Sequence, residues 1–468
     1  MSQEADEIDV EGEGVSAIYT VDGAVREDVL ANIHAAIEAG DAEPIIELTR
    51  DLHESETADL LEALRDDERQ AFVRLSGADF DFTVLTEVDE AIRVDIVDGM
   101  EAEQVAEGVR DLDSDDAVFI LEDLGNEARE EILAQIPFQE RIRLRRSLDY
   151  PEETAGRRMQ TEFIAVPPFW TVGQAIDYIR ETDDLPDRFS EIFTIEPTFK
   201  LAGMLPLDKL IKAKRDIRVE DIHDTNAHPI PALMDQEEAA QIFEQYDLLS
   251  APVLDENDRL VGVLTIDDVV DVIQAEADED IRLLAGVGDE ELSDSVRDIA
   301  RSRVGWLLVN LATAIFASLI IGLFDATIEQ MVALAVLMPI VASMGGNAGT
   351  QTMTVAVRAL ATKDLDINNA RRIIRKEMLV GLFNGLVFAV IIGLVAAVWF
   401  GLPSLGLVIG IAMIINMLFA AGAGILIPMA LDKWGADPAI ASGVFVTTVT
   451  DVIGFFAFLG LAAWWYGI

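Results

Sequence analysis

The chain has 468 residues, with 85 Asp+Glu against 34 Lys+Arg for a formal net charge of −51, and it contains no cysteine. That length exceeds one ordinary domain, the acidity would repel nucleic-acid phosphates, and the lack of cysteine excludes a disulfide framework and thiolate chemistry. The charge is also unevenly spread: residues 1–303 carry 77 acids and 27 Lys+Arg, whereas residues 304–468 carry 8 and 7.

Two accounts cover the scattered acid: solubility in a salt-rich cytoplasm, a halophile's habit, or sites for divalent cations. The start, Met1-Ser2-Gln3-Glu4, has neither a basic n-region nor an apolar h-region, which predicts no signal peptide and a cytoplasmic N-terminus. Residues 1–24 are Glu/Asp/Gly-rich and are expected to form a disordered acidic tail. Across 25–150 the apolar residues recur at helical spacing, as in Ala58 to Leu64 and Ala117 to Leu124. Ser114 is placed to cap a helix with Asp115 and Asp116 in its first turn, and Gly125, Asn126 and Pro137 punctuate the helical pattern after it. The expectation is an all-α superhelical domain that acts as a scaffold or interaction surface.

From Met159 to Ala277 the pattern changes to two α/β units. Ile164-Ala165-Val166 and His228-Pro229-Ile230-Pro231 read as strand edges, each followed by a helix, and each unit closes with strand, tight turn, strand and helix. Two such units in tandem resemble a CBS-domain pair, with repeats over 157–217 and 218–280. The resemblance implies a module that senses adenine nucleotides or ions. In it, a Thr or Ser followed three residues later by Asp binds ribose hydroxyls. Thr265 and Asp268 fit in the second repeat, while Pro206 and Lys209 stand at those places in the first. At most one nucleotide site of that type, taking ATP, is therefore expected; Thr265 and Asp268 also suit a plain helix cap.

Residues 281–303 form a connecting segment whose end carries Arg297, Arg301 and Arg303, a basic flank that marks the cytoplasmic side of a membrane span. Five apolar segments come next, at about 304–324, 329–356, 378–400, 405–431 and 439–466. Their odd number predicts a C-terminus outside. Arg358, Lys363, Arg371, Arg372, Arg375 and Lys376 between the second and third segments fit a cytoplasmic loop, and Trp464, Trp465 and Tyr466 fit an external aromatic belt.

Of the eight acids after Arg303, only Asp451 lies centrally in an apolar segment. An ionised Asp at that depth costs about 2.5–3.5 kcal/mol, so it is either satisfied by neighbouring helices or part of an ion path. Thr447, Asp451 and Gly454 share one helical face. The second segment adds Gly345 and Gly349, spaced for close helix packing, and two amides one turn apart, Asn347 and Gln351, which call for polar partners. No Arg or Lys lies at comparable depth, which argues for a cation. One carboxylate among hydroxyls and amides suits hydrated Mg2+, which sheds its waters reluctantly, better than Ca2+; Mn2+, Co2+ and Ni2+ stay open.

With these features in order, the chain over residues 25–468 resembles the MgtE family of magnesium channels. The most specific stretches are Pro339 to Gln351, Arg358 to Leu365, and Thr450-Asp451-Val452-Ile453-Gly454. The resemblance implies a multidomain membrane protein with an all-α superhelical N domain, an α/β CBS pair and an α-helical five-span transmembrane domain. It further implies a homodimer whose second and fifth spans line a pore, with Asp451 selecting Mg2+ and the 289–303 helix as a plug. Regulatory Mg2+ is implied between cytosolic domains, at Asp115, Asp235, Glu237, Asp247, Asp268, Asp271, Glu276, Glu279 and Asp280. Two positions depart from the family pattern: Phe119 stands where an acidic partner of Asp115 belongs, and Gly443 replaces a polar residue two turns before Asp451.

The mechanism expected is linkage, in which Mg2+ bridging these acids favours a compact closed state. Two other readings stay open at this point: an ion-coupled exchanger of Mg2+ or another divalent metal, and a nucleotide-sensing membrane regulator in which Asp451 is structural. With four His, no Cys and no nucleophile–base pairing or phosphate-cradling loop, the chain is not expected to be an enzyme.

Overall fold

The computed structural model describes residues 18–182, 185–186, 188–288, 296–365 and 369–467. The chain falls into two units, Met1–Ile273 and Gln274–Ile468.

The first unit opens with short helices running from Glu27–Ala39 to Phe138–Leu148. They are short because start and stop chemistry recurs every two to four turns: Gly40 closes the first in a left-handed conformation, and Glu68 and Gln104 reach back to the start of their own helices. Their apolar stripes meet in one core that includes Phe72, Leu60, Leu61, Ile96, Ile120 and Leu121. Of the stretch 1–24 expected to be a disordered tail, residues 18–24 are described, and they dock on this core. Ile18 is fully buried and its carbonyl accepts from Arg26 N at 2.8 Å, while Tyr19 pairs with Val25. Two large apolar side chains are enough to dock 18–25; residues 1–17 lie outside the described residues.

Arg93 is the polar centre of this domain. Buried, it pairs with Asp123 at 2.6 Å, donates to the Leu85 and Val88 carbonyls, and stacks on Phe119 with its guanidinium 4.2 Å from the ring centre. Because removing one partner of a buried pair leaves the other charge uncompensated, Arg93→Ala is expected to destabilise the cytosolic part by about 3–5 kcal/mol. A lowered first melting transition of the full chain in detergent checks this; an unchanged midpoint would show that Asp123 finds another partner.

The α/β part repeats one design twice. In the first repeat β1 (Ala165–Val166) runs parallel to β2 (Glu191–Ile195), which pairs antiparallel with β3 (Leu201–Pro206). In the second, β4 (Ile230–Pro231), β5 (Ser250–Leu254) and β6 (Leu260–Thr265) do the same. The registers correspond, Glu191↔Pro206 with Ser250↔Thr265, and so do the irregularities, after Thr194 and after Val253. Equivalent positions also touch: Ser250 donates to Glu191, and Lys200 bridges Arg259. The two repeats thus face each other about a pseudo-twofold axis.

Among its described residues the second unit holds five helices long and apolar enough to cross a membrane, spans one to five: Ile299–Gly322, Val332–Ala361, Ala370–Phe400, Pro403–Lys433 and Gly443–Tyr466. The first belongs to an unbroken helix from Val296 to Gly322, so no break separates it from the connecting segment at 304; residues 289–295 of the expected plug lie outside the described residues. Span three likewise begins at Ala370, so Arg371, Arg372, Arg375 and Lys376 are helical where a loop was expected. Long basic side chains are good helix formers that reach water from a helix end. Span four is the most buried, with Ala412, Asn416, Ala420, Gly424 and Pro428 among its buried residues. Ser404 at its start bonds the Tyr466 hydroxyl at the end of span five at 2.8 Å, which puts those two ends at one level.

Candidate functional site

Spans two and five meet through glycine. A Cβ built on Gly349 would lie 2.6 Å from Val446 Cγ1, so the backbone of span two rests directly on span five. Gly345, Gly349, Thr352, Met353 and Ala356 form the buried face of span two. Ser343, Asn347, Thr350, Gln351 and Thr354 form an exposed stripe on the other side. A polar stripe this long on a membrane helix requires water or another polar surface beside it.

Asp451 lies half-buried on span five beside the fully buried Thr450, whose hydroxyl donates to the Thr447 carbonyl at 2.9 Å. No hydrogen bond or ion pair joins Asp451 to any other described residue. Its carboxylate is therefore not a packing device satisfied by neighbouring spans. Thr447 is exposed and donates to the Gly443 carbonyl, so of the expected face only Thr447 and Asp451 stay accessible, and Gly454 is buried. The Leu284 carbonyl and Met353 Cε both lie 3.9 Å from a Cβ placed on Gly443. Leu283 and Leu284, at the end of helix Ile266–Ala285, pack with Met353, Val357, Ala439 and Val446 on spans two and five.

Gln351 also lines a crevice of about 180 Å³ between spans two, three and four, with Thr352, Glu377 and Asn384. Glu377, read from the sequence as an acid at a segment end, belongs to that wall.

One residue of this region carried no signal in the sequence. Asn416, fully buried on span four, donates from Nδ2 to the Val341 carbonyl at 2.8 Å, and its Oδ1 has no hydrogen-bond partner among the described residues. Such an orphan acceptor costs about 1–3 kcal/mol.

The cytosolic acids divide into three groups. Asp115 and Asp268 come together: their carboxyls lie within hydrogen-bonding reach, Asp268 also accepts from Thr265, and Asp115 Oδ1 is buried without a partner. Burial pushes both carboxyls up; Asp268, Asp116 and Asp113 raise Asp115 further, and Asp267 and Asp116 raise Asp268, against the hydrogen bonds it makes with Thr265 and Asp115. Asp116 is raised to about 6, by burial first and then by Asp113, Asp267, Glu87 and Asp271. Asp271 is raised by burial and by Asp267.

A second group lies along helix Gln236–Tyr246. Asp235 caps its start by accepting from Glu237 N at 2.9 Å, Glu237 stands in its first turn, and Asp247 closes its end at φ 52°. Eleven residues of helix span about 16 Å, so the two ends cannot share one ion within a chain. In the third group Glu276, Glu279 and Asp280 lie on helix Ile266–Ala285, and Asp280 is raised by burial and by Asp437, the cap of helix Pro438–Tyr466. By sequence Asp437 reads as an ordinary loop acid. Among the described residues no three His, Asp or Glu side chains form a preassembled metal cluster.

The contact between the N domain and the α/β repeats is made without an acid at 119. Arg158, on a segment bonded into the second repeat through Gln160 and Val263, pairs with Glu122 at 3.1 Å and stands over the Phe119 ring at 5.5 Å. Ser114 is the first residue of its helix rather than the cap, and its hydroxyl accepts from Thr161 N at 2.7 Å. The nucleotide motif is occupied by its own members, since the Thr265 hydroxyl donates to Asp268; Lys209 in the first repeat faces Asp224 at 3.9 Å.

Family models match three stretches: a divalent cation transporter domain over 338–461, an MgtE intracellular N domain over 52–153, and a CBS domain over 219–275. The chain is 32% identical to the magnesium transporter MgtE of Bacillus subtilis over 75% of this chain and 78% of that protein. It is 37% identical to the magnesium transporter MgtE of Enterococcus faecalis over 68% of this chain and 70% of that one. A solved structure of the cytosolic domain of the Mg2+ channel MgtE in complex with ATP covers 52% of this chain and 99% of that chain at 25% identity, with a TM-score of 0.49.

Proposed function

The chain belongs to the MgtE family of divalent cation transporters, and from that premise we propose that it moves Mg2+ along a path lined by spans two and five, with Asp451 as the selecting carboxylate. The observation that carries this reading is an unpaired Asp451 on a membrane helix packed against a second helix with an exposed stripe of hydroxyls and amides. Hydrated Mg2+ keeps most of its waters, so a path for it needs one or two carboxylates and many groups that hydrogen-bond water. Asn347, Gln351 and Thr447 supply the second kind. In this reading two copies of the chain bring their stripes and their Asp451 side chains together about a twofold axis, which covers polar surface that lipid cannot solvate. In this reading the N domain lies inside, and five spans then carry the C-terminus, with Trp464 and Trp465, outside.

The same reading assigns gating to the cytosolic acids. Mg2+ between Asp115 and Asp268, and at the acid groups of the two later helices, holds a compact closed state; without the ion the carboxylates repel and the path opens. ATP enters only at Thr265 and Asp268, where it would compete with that use of Asp268. The remaining surface acid serves solvation in a salt-rich cytoplasm.

Uptake of Mg2+ into liposomes holding the purified chain tests the proposal. Asn347→Ala and Gln351→Ala each remove one hydrogen bond to the ion's water shell and should raise the half-saturating Mg2+ about two- to tenfold, with the protein still folded. Uptake unchanged in both would take the second span out of the path.

A further inference from the structure

We propose that Asn416 is a positioning residue that sets the spacing of spans two and five and thereby the place of Asp451 in the path. The carboxamide is wedged between two glycines of different helices. A Cβ on Gly345 would lie 2.2 Å from Asn416 Nδ2, and one on Gly454 would lie 2.8 Å from the same atom and 3.2 Å from Oδ1. Neither glycine has a positive φ, so close approach is what requires glycine there. Gly454 lies one helical turn after Asp451, and Gly345 precedes Asn347 by two residues. A shift of the wedge therefore moves both groups.

The bond from Nδ2 to the Val341 carbonyl fixes the side chain against span two, next to the segment that Pro339 has already deprived of one helical hydrogen bond. The unpartnered Oδ1 shows that the residue is not there to complete a polar network. A leucine shares the branching and would leave no buried acceptor, but its two methyls are bulkier than a planar amide and would press on Gly345 and Gly454. What an amide adds is one directional bond to span two while its thin, flat end admits the bare backbone of span five.

This inference rests on the transport reading, and its test is built on steric compensation. Gly454→Ala should reduce Mg2+ uptake on the order of tenfold by forcing the wedge apart, and adding Asn416→Ala should restore most of it by vacating the space the new methyl needs. Asn416→Ala alone should lower the ratio of Mg2+ to Mn2+ uptake while the protein elutes and melts like wild type. Rescue together with a changed ratio supports the proposal. A folded double variant no better than Gly454→Ala overturns it, and so does an unchanged ratio in Asn416→Ala, which decides the matter alone where Gly454→Ala does not reach the membrane. Wild-type liposomes that take up no Mg2+ would instead refute the transport reading, and the wedge would then be judged by the same double variant with whichever divalent ion the wild type carries.

Discussion

Asp451→Ala is expected to lower Mg2+ uptake by at least about a hundredfold while leaving the fold intact. A unit charge 4 Å from another contributes about 4 kcal/mol at an effective dielectric near 20, and each 1.4 kcal/mol is a factor of ten in binding. Keeping a water layer between ion and carboxylate reduces that attraction, while the double charge of the ion restores part of it. Asp451→Asn separates charge from shape and should lose nearly as much. Because Asp451 bonds no described residue, neither substitution removes a contact that holds the bundle together, and elution and melting should be unchanged. Uptake retained in Asp451→Asn would mean that the carboxylate is structural and that the path selects its ion elsewhere.

The span architecture was legible in the chain because an apolar run of sufficient length has few other fates, and Asp451 stood out because a carboxylate inside one is costly. Span ends were less legible. The basic run at 371–376 reads as loop by charge, yet it continues a helix, since Arg and Lys favour helix and reach water from its end. Asn416 was invisible for a different reason. A single amide in an apolar segment has no pattern, and its meaning comes from Gly345 and Gly454, which only the fold brings to it.

The cytosolic contact obeys the same logic. Phe119 looked like the loss of a metal-binding partner, but the ring takes both Arg93, at 4.2 Å, and Arg158, at 5.5 Å, so a cation–π contact does part of what an acid would have done through an ion. That contact also needs no Mg2+. The meeting of Asp115 with Asp268 could be expected only from the family resemblance, because helical periodicity places each on its own helix and says nothing of the other.

Neutralising that pair should separate two effects that the gating proposal joins. In the double variant Asp115→Asn with Asp268→Asn the most buried part of the repulsion between N domain and CBS pair is removed, leaving Asp116 against Asp267 and Asp271, while Arg158, Glu122 and Phe119 still hold them. The compact state is then expected without Mg2+, seen as protection of the cytosolic part from limited proteolysis that no longer varies over a Mg2+ series at high KCl. Wild type should need the ion near pH 8 and not near pH 5. The sign comes from the direction of the shifts: Asp115, Asp116 and Asp268 are held above their ordinary values, Asp116 at about 6, so the compact state binds more protons than the released one. Its stability is therefore present at low pH and is lost as pH rises through about 6 for Asp116 and about 7 for Asp268, where Mg2+ must replace the proton. A wild type that is protected equally at both pH values without Mg2+ would show that the Arg158 contact alone closes the interface. The acids would then be surface charge, and the sensor would have to lie among Glu276, Glu279, Asp280 and Asp437.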